Sequence, residues 1–168
     1  MPLTMYEASV GPFRRQLNAL EQILVKAATH VAHKGYDPAN LLQARLYPDM
    51  FPLLRQVQIA CDMAKSGAAR LAGMEPPRHE DNESSFDELR ARIGKTLAFV
   101  ASIDRALIEG SEERPIKVPQ RDRTLELSGR DYLFGYVLPN LYFHAATAYN
   151  ILRHNGVELG KKDFLGGG

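Results

Sequence analysis

Apolar residues recur at alternating intervals of three and four along four segments of this chain. The first segment carries them at Val10, Phe13, Leu17, Leu20, Leu24, Ala27 and Val31. This spacing places them on one stripe of an α-helix, and such a stripe is stable when it packs against another apolar surface. Because four segments share this property, the sequence predicts an all-α fold in the form of a four-helix bundle.

The ends of the first two predicted helices are marked by local signals. Thr4 and Glu7 have the spacing of a capping box, and Gly35 is a typical helix C-terminus. The pair Gly11-Pro12 inside this run predicts a kink or a restart. Residues 36–47 are predicted to form a loop, after which Pro48-Asp49 opens the second helix. Gly73 is predicted to end that helix.

The third helix and a hairpin follow. Ser85 and Glu88 form a second capping box, and Gly110 is predicted to end the helix that they open. Apolar and polar residues then alternate one by one at residues 116–118 and 124–127. This alternation predicts a short β-hairpin with its turn at residues 120–123.

The fourth predicted helix begins at a Ser128 cap and ends at Asn155-Gly156, with an interruption at Pro139. After it, the glycine-rich tail from Leu159 onward is expected to lie loosely on the surface, with Phe164 and Leu165 as a possible anchor.

Composition excludes several classes of function. The chain has 168 residues, enough for one domain over residues 1–168 with a sizeable core. Its 21 basic and 20 acidic side chains give a net charge of +1, so nothing favours nucleic acid or an anionic membrane as a partner. No apolar run approaches the roughly 18 residues of a membrane span.

Cysteine usage and the amino terminus bear on location. Cys61 is the one cysteine, which excludes an intramolecular disulfide and suits a reducing compartment. It lies within an apolar helical stripe, which favours a buried small hydrophobe over a reactive thiol. The first residues lack the pattern of a secretory signal, so a cytoplasmic location is expected.

The most informative polar residue is His144. Its neighbours at helical spacing are apolar (Val137, Leu141, Ala148 and Ile151). The imidazole therefore lies on the apolar side of the helix. Asn140 lies one turn earlier and can share the same surroundings. The pair is either a satisfied hydrogen bond of the core or part of a site. The other histidines lack metal-ligand spacing, and no nucleophile elbow or phosphate-binding loop occurs in the sequence.

Several segments resemble a bacterial family described as a domain of unknown function, which is similar to the DinB/YfiT-like metalloenzyme superfamily. The resemblance spans essentially the whole chain and is carried by residues 48–65, 69–73, 140–144, 151–157 and 162–166. It implies a bundle of up-down-down-up topology, usually a homodimer, with a pocket at one end.

The resemblance also implies where a metal would bind. In the superfamily three histidines hold a divalent ion, one from the second helix and a His-x-x-x-His pair from the fourth. His144 matches the second histidine of that pair, whereas Asn140 stands in place of the first. Gln56 stands near the position on the second helix. His144 is therefore the one matching candidate ligand for zinc or nickel.

Three functional hypotheses follow. The first is a small-molecule-binding pocket with a degenerate metal site, in which Gln56, Tyr136, Asn140 and His144 bind the ligand. The second is a divergent metal-dependent transferase or hydrolase of the DinB/YfiT type, in which a metal at His144 activates a thiol or water. The third is a structural dimer without pocket chemistry.

Overall fold

The computed structural model describes residues 3–167. Its elements, in chain order, are α1 (Met5–Lys34), α2 (Ala39–Leu42), α3 (Leu53–Leu71), α4 (Phe86–Ser102), α5 (Arg105–Ile108), β1 (Pro115–Pro119), β2 (Thr124–Ser128), α6 (Gly129–Asp131), a π-helix (Tyr132–Val137), α7 (Leu138–His154) and α8 (Lys161–Leu165). The predicted fold class, a four-helix bundle with a hairpin before the last long helix, is confirmed.

The bundle consists of the four long helices α1, α3, α4 and α7. Helix α3 packs against both α4 and α7, and α1 contacts the same two helices from the other side. The apolar stripes meet in one core, whose fully buried members include Phe13, Leu20, Val57, Ile93 and Leu141. Burial of these stripes removes apolar surface from water and is the main stabilising contribution to the fold.

Helix α1 begins and ends where its capping signals predict. Thr4 accepts a hydrogen bond from the amide of Glu7 while the Glu7 carboxylate accepts one from the amide of Thr4. Gly35 follows the last turn in the left-handed conformation, with φ +72°. Of the two predicted outcomes at Pro12, the restart is wrong, since α1 runs unbroken across it, and the kink stays a prediction. The proline removes one backbone donor, while buried Phe13 fixes the next residue in the core.

The connection between α1 and α3 differs from its prediction in two respects. Residues 36–47 include the short helix α2, because Asp37 accepts a hydrogen bond from the amide of Ala39 at 2.8 Å. Helix α3 begins at Leu53, whereas Pro48-Asp49 lies in a turn closed by a 3.0 Å bond from the amide of Met50 to the carbonyl of Tyr47. Pro52 disfavours helical conformation at the preceding residue, which delays the start of α3.

Helix α4 opens at the predicted Ser85–Glu88 capping box but ends earlier than Gly110. It stops at Ser102, and Ile103 is extended, with ψ 124°. Asp104 then caps the separate short helix α5 by accepting a hydrogen bond from the amide of Ala106. The side-chain oxygen of Asp104 competes with the continuing helical bonds, which ends α4 at this point.

The hairpin is confirmed, and the last long helix is less regular than predicted. Strands β1 and β2 pair antiparallel, with Ile116 opposite Leu127 and Val118 opposite Leu125. Ser128 caps the following turn as predicted, through the amide of Asp131. Directly after Asp131 the backbone widens into the π-helix, and α7 starts with Pro139 in its first turn. Pro139 has no amide hydrogen to donate, so the regular pattern cannot pass through it.

The tail is more ordered than expected. It forms α8, and Lys26 pairs with Asp163 at 2.6 Å. The ring of Phe164 lies 6.1 Å from that of Tyr149, whereas Leu165 is 53% exposed and does not serve as an anchor. The final residue, Gly168, lies outside the described residues. Within residues 3–167 no helix combines the length and apolar character that crossing a membrane requires.

Candidate functional site

His144 and Gln56 meet between α7 and α3. The imidazole Nδ1 lies 2.7 Å from Gln56 Oε1, although the two residues are 88 positions apart in the chain. Gln56 is 2% exposed, and His144 is half-buried. The buried amide therefore fixes one nitrogen of the imidazole, while part of the ring reaches solvent.

The hydrogen bonds of Gln56 determine which nitrogen of His144 carries the proton. Gln56 Nε2 donates to the carbonyl of Phe51 at 3.0 Å, and a carbonyl can only accept. Oε1 of Gln56 must then face His144, so the imidazole donates from Nδ1. In the neutral ring Nε2 consequently holds the lone pair, and no residue within 3–167 forms a hydrogen bond with it.

Asn140 and Tyr136 lie next to this pair along the last helix. Asn140 Nδ2 donates to the carbonyl of Tyr136 at 2.7 Å, which satisfies part of the backbone where the π-helix gives way to α7. Both residues are half-buried. The structure thus brings Gln56 and His144 into contact, while Asn140 bonds to the backbone of Tyr136 and not to the imidazole.

Two exposed phenylalanines contact the pair, Phe143 through its ring and Phe51 through its backbone carbonyl. The ring of Phe143 lies 5.1 Å from that of His144 at an interplanar angle of 88°. Phe51, whose carbonyl binds Gln56, is 55% exposed, and Phe143 is 57% exposed.

The electrostatic environment keeps His144 neutral. Burial lowers the pKa of the imidazole below its ordinary value of 6.5, and the positive charge of Arg55 lowers this pKa further. Arg55 precedes Gln56 in α3, and its guanidinium lies 6.0 Å from the centre of the Phe51 ring. A neutral imidazole with its lone pair at Nε2 is a hydrogen-bond acceptor and can act as a base.

The residues present do not fit the three-histidine metal centre of the wider superfamily. His144 supplies one imidazole, whereas Gln56 and Asn140 supply amides, and the amide oxygen of Gln56 already accepts from His144. Within residues 3–167 no group of three or more His, Cys, Asp or Glu side chains is placed to hold a metal ion. One imidazole with amide oxygens would bind zinc or nickel weakly, so the chemistry of this site is that of its own side chains.

A buried ionic cluster beside Cys61 was not predicted from the sequence. Arg92 is 4% exposed and forms ion pairs with Asp62 at 3.0 Å, Asp81 at 3.0 Å and Glu83 at 2.9 Å. These contacts tie the loop before α4 to helices α3 and α4. The sequence did contain a signal, because Arg92 lies at helical spacing among buried Leu89 and Thr96.

Cys61 is buried, as predicted, and burial raises the pKa of its thiol to about 12. At neutral pH it is therefore a protonated thiol and a poor nucleophile. The remaining histidines lie away from His144 in the fold: His30 bonds the hydroxyl of Tyr36 at 2.8 Å, and His154 is exposed at the end of α7.

Comparison with known proteins identifies the class. A solved structure of a DinB family member protein from Shewanella denitrificans is 42% identical, covering 96% of this chain and 91% of that chain, with a TM-score of 0.86. The fold is therefore that of a DinB-like four-helix bundle. The chain belongs to the family described as a domain of unknown function (DUF1993), whose model matches residues 5–165. No curated protein sequence matches it.

Proposed function

We propose that this protein binds a small molecule at the pair formed by Gln56 and His144, with Asn140 and Tyr136 at the edge of the site. The observation that supports this proposal is the open Nε2 lone pair of His144, held in place by a buried amide and bordered by the exposed ring of Phe143.

The geometry suggests the chemistry of the ligand. A hydroxyl or N–H group of the ligand donates to Nε2 of His144, because this nitrogen holds a lone pair in the neutral ring. An apolar part of the ligand packs against Phe51 and Phe143. The ligand class is therefore a small apolar molecule with one hydrogen-bond donor.

Phenol provides a direct test because it has one donor and one aromatic ring. The ring resonances of His144 in NMR spectra are expected to shift saturably with phenol and much less with toluene, which has no donor. His144→Gln should abolish the shifts that phenol causes at neighbouring residues. His154→Gln removes an exposed histidine from the same helix and should leave them unchanged. Equal responses to phenol and toluene, or binding that persists in His144→Gln, would contradict the proposal.

We further propose that the protein is a cytoplasmic homodimer. A cytoplasmic location suits a chain whose one cysteine is buried and which therefore needs no disulfide. Dimer formation is supported by the last long helix, since no Asp, Glu, Lys or Arg occurs from Tyr132 to Leu152. A helix without charge on any side normally has its whole circumference covered.

The exposed aromatic rings supply much of the area that such a contact needs. Phe134 is 48%, Tyr142 41% and Phe143 57% exposed along the outer side of this helix, and in the neighbouring loop Tyr47 is 66% and Phe51 55% exposed. At ~200 Å² for a whole aromatic side chain, these five rings present roughly 500 Å². A standard interface buries about 800 Å² on each partner, so these rings would supply more than half of the surface that a second copy of the chain buries.

A further inference from the structure

A cavity whose lining does not include Gln56 or His144 lies between the loop that precedes α4 and the first turns of α4. Its volume is about 510 Å³, and its lining includes Arg78, His79, Glu80, Glu83, Arg92 and Lys95. This volume is in the range of small-molecule sites, roughly 300–1,000 Å³.

Two buried nitrogen atoms of residues that line this cavity have no hydrogen-bond partner within residues 3–167. They are Nδ1 of His79 and Nε of Arg92. The two terminal nitrogens of Arg92 are occupied by carboxylates and by the carbonyl of Glu80, whereas Nε can only donate. Buried polar groups are nearly always paired, so Nε of Arg92 is a donor that lacks the acceptor a folded protein normally supplies.

Some of the charged side chains that line the cavity already have hydrogen-bond partners, whereas others have none. Glu83 accepts from Arg92 at 2.9 Å and from Gln58 at 2.8 Å, and Glu88 accepts from the amides of Ser84 and Ser85. Arg78 and Lys95, by contrast, form no ion pair or side-chain hydrogen bond with any described residue. Glu80 keeps its negative charge but is exposed. The groups that remain available to a ligand are therefore mainly donors.

We propose that this cavity binds a small organic anion, a carboxylate or a phosphate ester, between Arg78, Lys95 and Nε of Arg92. The two unpaired cations neutralise the charge of the ligand, and the buried Nε of Arg92 donates to one of its oxygens. The state of His79 supports this assignment: burial and the charges of Lys65, Lys95 and Arg92 lower its pKa. The lining carries three cations and three carboxylates, so the attraction of an anion depends on Arg78 and Lys95, which pair with no carboxylate among the described residues.

The test uses inorganic phosphate and glutarate as probes and the ring C–H resonances of His79 as the reporter. At constant ionic strength, one of the two anions is expected to shift these resonances saturably, and the one with the lower dissociation constant identifies the class. Lys95→Gln should weaken that binding about tenfold, because a charged donor is lost. Lys117→Gln removes an exposed lysine of the hairpin and should leave the affinity unchanged.

Two results would overturn the proposal. Shifts that grow linearly without saturation would mean that the cavity holds water only. Equal affinities of Lys95→Gln and Lys117→Gln for the better anion would show that the effect is general ionic screening. Because Lys95 is exposed, thermal melting of its variant should match the unaltered protein, which separates lost binding from lost folding. None of these measurements depends on His144.

Discussion

Gln56 Oε1 and His144 Nδ1 are 2.7 Å apart and form the polar contact between the two helices that pack most extensively in this bundle. In this contact Gln56 accepts and His144 donates, because the nitrogen of the Gln56 amide donates to the carbonyl of Phe51. Any group that replaces the amide therefore changes both the orientation and the protonation of the imidazole.

Gln56→Glu should raise the pKa of His144. A carboxylate at this position would accept from Nδ1 and stabilise the imidazolium, opposing the burial and the Arg55 charge that lower the pKa in the natural protein. NMR titration of the His144 ring measures this change. Gln43→Glu, at an exposed position, is the control and should leave the pKa of His144 unchanged. A pKa that stays low in Gln56→Glu would mean that the two side chains are not in contact.

The free energy of unfolding should decrease as the pH falls below about 6.5. His144 has a lowered pKa in the folded state, so the unfolded chain, with its ordinary value of 6.5, takes up the proton first. Protonation consequently favours unfolding until the pH is also below the folded pKa. His144→Gln should show a shallower decrease between about pH 7 and pH 5 in urea unfolding experiments. His79, whose pKa is also lowered, contributes equally to both proteins. Parallel curves would contradict the expectation.

Arg92→Met should destabilise the protein by about 3–5 kcal/mol, because it leaves Glu83 without its buried counter-charge and Asp62 with Lys65 alone. Arg90→Met provides a control on the same helix. Arg90 pairs with Glu21 at 2.9 Å, but its side chain is 38% exposed, so a loss of about 0–1 kcal/mol is expected. Chemical denaturation measures both values, and similar losses would mean that the Arg92 cluster is not a buried network.

Two glycines within helices should respond in opposite directions to replacement by alanine. A Cβ at Gly67 would lie 2.7 Å from a methyl carbon of Val137 and 2.9 Å from the ring of Phe13, whereas nothing lies within 4 Å of one at Gly94. Gly94→Ala should stabilise by about 0.5–1 kcal/mol through helix propensity. Gly67→Ala should destabilise by about 1–3 kcal/mol through overpacking. Thermal melting distinguishes the two, and a stabilised Gly67→Ala would show that α3 has room at this position.

Phe143→Asp should shift the proposed homodimer toward monomer, because it introduces a charge on the uncharged outer side of α7. Leu107→Asp, at a residue that is 45% exposed outside this surface, is the matched control and should remain dimeric. Sedimentation at several protein concentrations reports the change. A monomer for the unaltered protein, or equal behaviour of both variants, would exclude this surface as the interface.

The sequence allowed the site to be foreseen in part. The helical spacing around His144 identified the imidazole as unusual, and the family resemblance indicated Gln56 on the second helix. Asn140 was expected to share the surroundings of His144, but it bonds to the carbonyl of Tyr136. The backbone geometry at the π-helix decided that partner, and no spacing rule predicts where a π-helix will form.

What the sequence by itself determined are the local features: apolar stripes, capping boxes at Thr4 and Ser85, and the change of period at the hairpin. These depend on interactions within a few residues, so they can be predicted from the order of side chains alone. The tertiary structure decided that Gln56 meets His144 and that Asp62 meets Arg92. Such contacts join distant parts of the chain. Their partners depend on how the helices pack, and helix packing cannot be predicted from local sequence patterns.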